Sequence, residues 1–276
     1  MALSTEKSLT LVLLAAISVC GQPFEPHGTS PMKIQGRIVS GSDAELGQFP
    51  WQVILKRDAW DDLRCGGSII SASWVLTAAH CTYGFDSIFI MFGSVQLFNE
   101  NALNMTSTNI IVHPGYNDKL NNDISLIELP VPLAFSDIIK PIQLVSESEE
   151  SIDFVGRVAT VAGFGFTQDE YLDYSETLLY AQVEIIDNEE CESVFGNLVI
   201  LDSTMCAKGN KGSDMSICTG DSGGPLIIYN KNTQQWEQIG INSFVAEDQC
   251  TARFPSAYAR LTSYLSFISQ ITGIAV

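Results

Sequence analysis

Basic residues are scarce in this sequence. It holds 14 lysines and arginines against 32 aspartates and glutamates, and its formal net charge is −18. Nucleic-acid binding needs clustered basic side chains, which are absent here, so nucleic acid is excluded as a partner. The acidic balance has two interpretations. It either keeps a secreted protein soluble with few cleavage sites in a trypsin-rich fluid, or it is merely a solvated acidic surface.

The patterns that bind metal ions are also missing. The chain contains three histidines and no Cys-x-x-Cys pair, whereas structural zinc sites combine such pairs with further cysteines or histidines. We therefore expect neither a metal nor another cofactor. Internal repeats and low-complexity tracts are absent as well, which excludes a repeat architecture.

The sequence lacks an apolar run long enough to span a bilayer. Its candidate near the start, Leu9–Val19, follows Lys7 and ends in the small residues Ser18 and Cys20. This pattern is typical of a secretory signal peptide over residues 1–20. The alternative is an N-terminal membrane anchor. We expect a secreted, extracellular protein with no membrane contact.

Secretion gives the cysteine count a meaning, because an oxidising compartment converts paired cysteines into disulfides. After removal of the signal peptide six cysteines remain, namely Cys65, Cys81, Cys191, Cys206, Cys218 and Cys250. An even number predicts three disulfides. Six cysteines permit fifteen connectivities, so the count does not give the pairing.

Short β-rich segments run along the whole chain, separated by glycine, proline, asparagine and aspartate. They are 52–56, 68–70, 88–92, 110–113, 124–128, 158–162, 180–185, 226–229, 238–243 and 257–259. This pattern predicts an all-β fold of barrels or a sandwich. The acidic segment 146–153 is interpreted as a linker. Near the end, Leu261, Tyr264, Leu265 and Ile268 follow the spacing of a helix that packs one apolar face.

Three polar clusters carry reactive side chains: VLTAAHC at 75–81, NNDISLIEL at 121–129 and ICTGDSGGPL at 217–226. A serine hydroxyl is a poor nucleophile until a histidine takes its proton, and the histidine needs a carboxylate to fix its tautomer. Each cluster alone is weak evidence, because a histidine beside a cysteine is usually a packed residue. Together they predict His80, Asp123 and Ser222 as a catalytic triad.

With these motifs the sequence resembles the chymotrypsin-fold family of secreted serine endopeptidases. The resemblance begins with RIVSG at 37–41, continues through FPWQV and CGGSII, and ends with YARLTSYLSFI at 258–268. Within the family, NDISLIELPVPL and ITGI are similar to the acidic digestive chymotrypsin-, elastase- and collagenase-type proteases of insects and crustaceans.

The resemblance implies two packed six-stranded antiparallel β-barrels and a C-terminal α-helix, with the catalytic groups between the barrels. The protease domain would span 38–276, with the first barrel at about 38–145, the second at about 155–260 and the helix at about 261–273. It also implies the disulfides Cys65–Cys81, Cys191–Cys206 and Cys218–Cys250.

The family's catalytic roles carry over to matching positions. Ser222 would attack the scissile carbonyl, and His80 would act as general base and then as general acid. Asp123 would orient His80 and accept a hydrogen bond from Ser243. The backbone N–H groups of Gly220 and Ser222 would form the oxyanion hole.

The resemblance further implies a zymogen. Cleavage between Arg37 and Ile38 would free an α-ammonium that pairs with Asp221, and the cysteine-free propeptide 21–37 would leave. The expected partners are an activating trypsin-like protease, polypeptide substrates and protein protease inhibitors. We expect a monomer.

The S1 pocket departs from both trypsin and chymotrypsin. Its expected lining is Ser216, Ile217, Ser243, Phe244, Val245 and Ser256. Ser216 stands where trypsin-like enzymes have aspartate, and Val245 stands where chymotrypsin has glycine. A branched wall residue favours small or medium aliphatic P1 side chains. The alternative is that the segment 244–250, which is longer than in chymotrypsin, reopens the pocket for Phe or Tyr.

Three functions stay open: a digestive endopeptidase, a regulatory, salivary or venom protease, and a non-catalytic homologue that acts as a binding module. The intact triad disfavours the last, and the short propeptide without an added interaction domain favours the first. Asn104 begins an Asn-Met-Thr acceptor sequence for N-glycosylation.

Overall fold

Two largely antiparallel sheets make up the body of the protein, as seen in a computed structural model that describes residues 38–149, 152–169, 173–246 and 249–276. The predicted signal peptide and propeptide, together with Arg37, lie outside the described residues. None of the helices in the described ranges is long and apolar enough to cross a membrane.

Within these ranges the chain forms fifteen strands. They are β1 (Ser42–Asp43), β2 (Gln52–Lys56), β3 (Cys65–Ile69), β4 (Trp74–Thr77), β5 (Ile88–Phe92), β6 (Leu103–Ser107), β7 (Asn109–Val112), β8 (Ser125–Glu128), β9 (Gln143–Leu144), β10 (Val158–Gly163), β11 (Leu179–Ile186), β12 (Thr204–Gly209), β13 (Pro225–Asn230), β14 (Gln235–Phe244) and β15 (Ser256–Arg260). The α-helices of the described ranges are α1 (Ala79–Thr82), α2 (Asn188–Phe195) and α3 (Leu265–Thr272). Single 3-10 turns cover Glu147–Glu149, Asn210–Gly212 and Leu261–Tyr264.

The first sheet has the strand order β6-β5-β2-β3-β4-β8-β7. Its interior strand β2 pairs with β3 on one side and β5 on the other, and it is buried along its whole length. Only Thr108 separates the edge strands β6 and β7. The sheet therefore curls until its two edges meet at that residue, where Ser107 Oγ donates to the backbone oxygen of Glu128 at 2.5 Å.

The second sheet closes on itself. Its order is β10-β13-β14-β15-β12, and β11 pairs with both β10 and β12, which completes a six-stranded barrel. Two short strands from the region predicted as the first barrel also join it: β1 pairs with β11, and β9 runs parallel to β14. Strand β1 precedes the first sheet in the sequence and β9 follows it, so the chain contacts the second sheet both before and after it forms the first.

The all-β fold class with a C-terminal helix is confirmed. Each of the ten predicted β segments overlaps an observed strand, whereas the two-residue strands β1 and β9 and the longer strands β4, β6 and β12 were not predicted. The predicted helix begins as the 3-10 turn Leu261–Tyr264 and continues as α3. Its four predicted apolar residues are buried, so the helix packs on the body as its spacing indicated.

Polar contacts join the two sheets at the place where the catalytic groups are expected. Gly66 in β3 donates its N–H to the backbone oxygen of Ser222 at 2.8 Å. Nearby, Ser68 Oγ donates to Gln238 Oε1 at 2.6 Å, and both side chains are buried. Strand β3 of the first sheet is therefore fixed directly against the loop that carries Ser222.

Candidate active site

His80 and Asp123 form a hydrogen-bonded pair on the first sheet. His80 lies in the four-residue helix α1 directly after β4, and Asp123 precedes β8. Asp123 Oδ2 lies 2.8 Å from His80 Nδ1, and Asp123 Oδ1 accepts from the backbone N–H of His80 at 2.9 Å. A carboxylate only accepts, so in neutral His80 the proton sits on Nδ1 and Nε2 keeps its lone pair. Nε2 is the atom that a general base needs.

Ser243 adds a second donor to this carboxylate. It lies near the end of β14, and its Oγ donates to Asp123 Oδ2 at 2.5 Å, as predicted. Asp123 is 1% exposed, and its oxygens are satisfied by these neighbours. A buried, fully bonded carboxylate of this kind holds the imidazole in one orientation.

The loop of Ser222 lies beside the Cys65–Cys81 disulfide, next to His80. Gly223 has φ +78°, and a Cβ there would lie 2.2 Å from Thr77 Oγ1 and 3.1 Å from Cys81 Sγ. Only glycine permits this approach. No hydrogen bond joins Ser222 Oγ to His80, although both residues are described. Such bonds are often long in the absence of substrate and tighten in the Michaelis complex.

Two N–H groups of this loop are free to bind an anion. Among the described residues, the N–H groups of Gly220 and Ser222 donate to no protein acceptor, whereas Asp221, Gly223 and Gly224 all donate. Gly220 has φ +97°, and a Cβ there would lie 2.8 Å from Tyr174 Cε1. The loop therefore needs glycine at this position. Free backbone donors beside a serine are the elements of an oxyanion hole.

Asp221 is completely buried beneath this loop. Its Oδ1 accepts from Gly165 N–H at 2.8 Å and its Oδ2 from Cys218 N–H at 2.9 Å. Burial raises the pKa of Asp221 to about 7, against the opposing effect of these two donors. No cationic side chain of the described residues forms an ion pair with it. The charged form of this carboxyl is therefore destabilised by burial, and a cation placed beside it would stabilise that form.

The first described residues enter the protein close to the predicted pocket. Ile38 is fully buried, and Val39 is 2% exposed. Val39 forms an antiparallel bridge with Ser216. The segment that follows Arg37 is thus packed inside the second half of the molecule.

The predicted pocket residues lie along β14, β15 and the loop before Ser222. Ser216 and Ile217 are both buried. Ser256 Oγ lies 2.7 Å from the hydroxyl of Tyr258, whose pKa is raised by burial. The hydroxyl of Tyr258 therefore remains protonated, and this part of the lining is neutral.

Two further lining residues pack against apolar groups. Val245 contacts the cluster formed by Val39 and the Cys218–Cys250 disulfide. Phe244 meets Phe195 edge to face, with the ring centroids 5.2 Å apart. These contacts fix one wall of the predicted pocket.

The six cysteines of the described residues form three disulfides, Cys65–Cys81, Cys191–Cys206 and Cys218–Cys250, which are the pairs that the resemblance implies. Two groups of histidine, cysteine and aspartate side chains among the described residues are close enough together to bind a metal ion, but each group includes both sulfurs of one disulfide. A disulfide sulfur is not a thiolate, so these clusters do not provide a metal site. The side chain of Asn104 is exposed on β6.

Sequence reasoning missed two residues that support the site. Arg64 donates from Nε to the backbone oxygen of Cys81 at 2.6 Å and from Nη2 to that of His80 at 3.0 Å. Asp169 accepts from the backbone N–H groups of Cys250 and Thr251 at 2.7 and 3.2 Å. Neither residue belongs to a local motif, and each partner is distant in the sequence, so no sequence signal indicated these bonds.

Comparisons with known proteins agree with this geometry. Residues 38–268 match the family model described as Trypsin. The chain is 34% identical to a collagenase of Hypoderma lineatum over 96% of this chain and 99% of the relative. It is 38% identical to brachyurin of Leptuca pugilator over 86% of this chain and 99% of that protein. A solved structure titled HL collagenase superposes with a TM-score of 0.75 at 35% identity, covering 86% of this chain and all of the other.

The matched region contains both sheets, the hydrogen-bonded His80–Asp123 pair and the Ser222 loop. A family match over most of the chain and relatives above 30% identity along nearly their full length agree with one another. The chain therefore belongs to the trypsin family, and it is a serine endopeptidase with the chymotrypsin fold.

Proposed function

We propose that this protein is the secreted zymogen of a digestive serine endopeptidase, in which Ser222, His80 and Asp123 form the catalytic triad. The observation that carries the proposal is the pair His80–Asp123, joined at 2.8 Å and held next to the Ser222 loop by the bond from Gly66. This arrangement leaves Nε2 of His80 available as the base that would take the proton of Ser222.

The reaction follows from these positions. Ser222 Oγ bonds to the scissile carbonyl carbon as His80 Nε2 takes its proton, and the carbonyl oxygen becomes an oxyanion facing the N–H groups of Gly220 and Ser222. His80 then returns the proton to the leaving amine as the C–N bond breaks. Water attacks the acyl-enzyme in the same way. Each oxyanion donor contributes about 2.7–4 kcal/mol to transition-state stabilisation.

Activation would depend on Asp221. The carboxyl is buried and pairs with no cationic side chain of the described residues, while Ile38 is fully buried and Val39 forms a bridge with Ser216, which lies five residues before Asp221 in the sequence. Cleavage after Arg37 would create an ammonium at Ile38 that can neutralise it. A buried pair that lacks one partner costs about 3–5 kcal/mol, which is enough to disfavour the active conformation of the uncut chain. The activating enzyme would be a trypsin-like protease, because it must cut after arginine.

The specificity would be non-tryptic. Ser216 offers no charge to a P1 lysine or arginine, and Val245 narrows the wall next to the Cys218–Cys250 disulfide. A narrowed apolar pocket favours alanine, valine or leucine at P1. The relative from Hypoderma lineatum is named collagenase, which adds collagen to the candidate protein substrates of this chain.

The remaining parts of the proposal concern location and assembly. The apolar run near the start of the chain supports secretion, and the family supports polypeptide substrates and protein protease inhibitors as partners. We propose a monomer that is N-glycosylated at Asn104, whose side chain is exposed. The short cysteine-free propeptide supports a digestive rather than a regulatory role.

A panel of peptides that differ only at P1 tests the proposal. The full-length protein is assayed before and after limited trypsin cleavage, with trypsin removed on an inhibitor resin and the Ile38 terminus confirmed by sequencing. We expect activity only after the cut, with alanine, valine or leucine preferred. Two control variants are treated identically: Arg37→Gln should remain uncut and inactive, and Ser222→Ala should be cut and inactive.

Each contrary result removes a defined part of the proposal. Preference for phenylalanine or tyrosine would reject the narrowed pocket and keep the enzyme. Full activity of Arg37→Gln would reject the zymogen. Wild-type activity of Ser222→Ala, or an inactive wild type with a confirmed Ile38 terminus, would reject the catalytic mechanism.

A further inference from the structure

Asn242 is a buried polar residue beneath the Ser222 loop. It belongs to β14 and is 0% exposed. Its backbone is held on both sides by the loop, since Asn242 N–H donates to the oxygen of Gly224 and Gly223 N–H donates to the oxygen of Asn242, both at 2.8 Å. The side chain therefore starts from a fixed position directly under the proposed nucleophile.

That side chain binds one particular carbonyl. Asn242 Nδ2 donates to the backbone oxygen of Asp221 at 2.9 Å. The assignment of the amide is unambiguous, because a carbonyl oxygen accepts only and must face the NH₂ group. The same oxygen also accepts from Gly224 N–H at 3.1 Å, so Asn242 supplies the shorter of two bonds.

The carbonyl of Asp221 and the N–H of Ser222 belong to the same peptide group. A trans peptide is planar, and its C=O and N–H point in opposite directions. Fixing the carbonyl therefore fixes the direction of the Ser222 N–H, which is one of the two free donors described above. Asn242 thus acts on the oxyanion hole indirectly, by binding the carbonyl on the opposite side of the peptide group that carries the Ser222 N–H.

Asn242 is a poor choice for stability alone. In the described part of the chain its Oδ1 has no hydrogen-bond partner, and a buried acceptor without a partner destabilises the folded state. Its neighbour in the same strand, Ile241, is apolar and equally buried. A polar side chain that is only half satisfied in such a place is typical of a functional requirement.

We infer that Asn242 is a positioning residue that orients the Ser222 N–H for stabilisation of the oxyanion. The inference rests on the proposed function, since it presupposes that Ser222 is the nucleophile. It assigns no contact with substrate to Asn242. Its effect is confined to the transition state and the tetrahedral intermediate, when the carbonyl oxygen carries charge.

The test replaces the amide by an apolar group of similar size. In cut, active enzyme, Asn242→Leu should lower kcat about tenfold, below the 10²–10³ that follows complete loss of a donor, with KM changed less than about twofold. The thermal midpoint should be equal or higher, because the unpaired Oδ1 is removed as well. Asn242→Val provides a second variant if leucine prevents folding, and Ile241→Val controls for changed packing in β14.

Inhibitors separate positioning from a general structural role. A peptidyl trifluoromethyl ketone forms a hemiketal with the serine whose oxyanion occupies the oxyanion hole, so its Ki should rise about tenfold, in parallel with the loss in kcat. The Ki of the corresponding product peptide, which carries no such oxyanion, should remain unchanged.

The outcomes are distinct. Wild-type kcat and ketone affinity in Asn242→Leu and Asn242→Val would overturn the inference. So would a lower thermal midpoint accompanied by equal weakening of both inhibitors, because that pattern indicates a structural role. Failure of both variants to fold, while Ile241→Val folds, would likewise assign Asn242 to stability. If the cut wild type hydrolyses no peptide, the proposed function fails first and the inference fails with it.

Discussion

Ser243 Oγ donates a hydrogen bond to Asp123 Oδ2 at 2.5 Å, and the same carboxylate oxygen lies 2.8 Å from Nδ1 of His80. The two contacts arrive from different sheets, because Ser243 belongs to β14 and His80 follows β4. The orientation of the proposed base therefore depends on how the second sheet meets the first. A serine that also lines the predicted pocket thus connects the pocket with the triad.

Replacing Ser243 by alanine should weaken catalysis more than binding. The Asp123 carboxylate would lose one donor of a type worth about 1.5–3 kcal/mol, so we expect kcat/KM to fall about tenfold on every peptide of the panel. Ser256→Ala is the matched control, since that buried hydroxyl contacts Tyr258 rather than Asp123. Equal losses in both variants would show that the effect arises from the pocket and not from Asp123.

The buried Asp221 should make the uncut protein less stable as pH rises. Its folded pKa of about 7 lies above the ordinary 3.8, so the folded state holds the proton more tightly than the unfolded state. Its contribution to stability is complete below pH 3.8 and is lost as pH rises through about 7. A shift of this size corresponds to about 4 kcal/mol. After cleavage, pairing with the Ile38 ammonium should abolish this loss.

Urea unfolding at a series of pH values between the ordinary and the raised pKa of Asp221 checks this expectation. A Ser222→Ala background prevents self-digestion during the measurement. Cut and uncut proteins are compared with and without Asp221→Asn, which removes the titrating group but keeps the size of the side chain. The uncut protein that retains Asp221 should show the steepest decline. A decline of equal steepness in uncut Asp221→Asn would assign the pH dependence to other groups.

Widening the pocket wall should change the P1 preference. Val245→Gly removes the branched side chain beside the Cys218–Cys250 disulfide, and we expect kcat/KM for a phenylalanine peptide to rise at least about tenfold relative to the alanine peptide. Val245→Ala should be intermediate. A wild-type enzyme that already prefers phenylalanine, with no change in Val245→Gly, would mean that Val245 does not face the P1 side chain.

Asp169 should stabilise the pocket through the backbone of Cys250 and Thr251. Asp169→Ala leaves those two N–H groups without their acceptor, so we expect KM to rise about threefold to tenfold with kcat nearly constant. Asp169→Asn keeps one acceptor oxygen and should lie between. The control is Asp173→Ala, an exposed aspartate nearby in the chain, which should behave as wild type. Equal KM values for Asp169→Ala and Asp173→Ala would remove Asp169 from the pocket.

Local patterns predicted the parts of the fold that depend on nearby residues. The apolar strand β2 has its predicted bounds, because its sequence is largely apolar and glycine and proline stand nearby. Strand β12, with the sequence TMCAKG, was missed because it has few β-branched or aromatic residues and its stability comes from pairing with β11 and β15. Tertiary pairing outweighed weak propensity there.

In the candidate site, too, residues in local motifs were predicted and a tertiary contact was not. His80, Asp123 and Ser222 stand in motifs, so the sequence indicated them. The contact of Asn242 with the Asp221 carbonyl could not be predicted, because β14 carries a register shift between Asn242 and Phe244. Such a bulge breaks the simple alternation of faces along a strand, and only the folded backbone shows where each side chain points.

The hydrogen bond from Gly66 to Ser222 joins the two sheets, and this has a consequence for when a folding protease becomes active. One sheet carries the proposed base and the other carries the proposed nucleophile, so a chain in which only one sheet has formed holds half of the chemistry and is harmless to its neighbours. The protein can hydrolyse peptides only after the two sheets have packed against each other. Peptide hydrolysis by this enzyme is therefore also a readout of docking, and it should disappear on denaturation as soon as the halves separate.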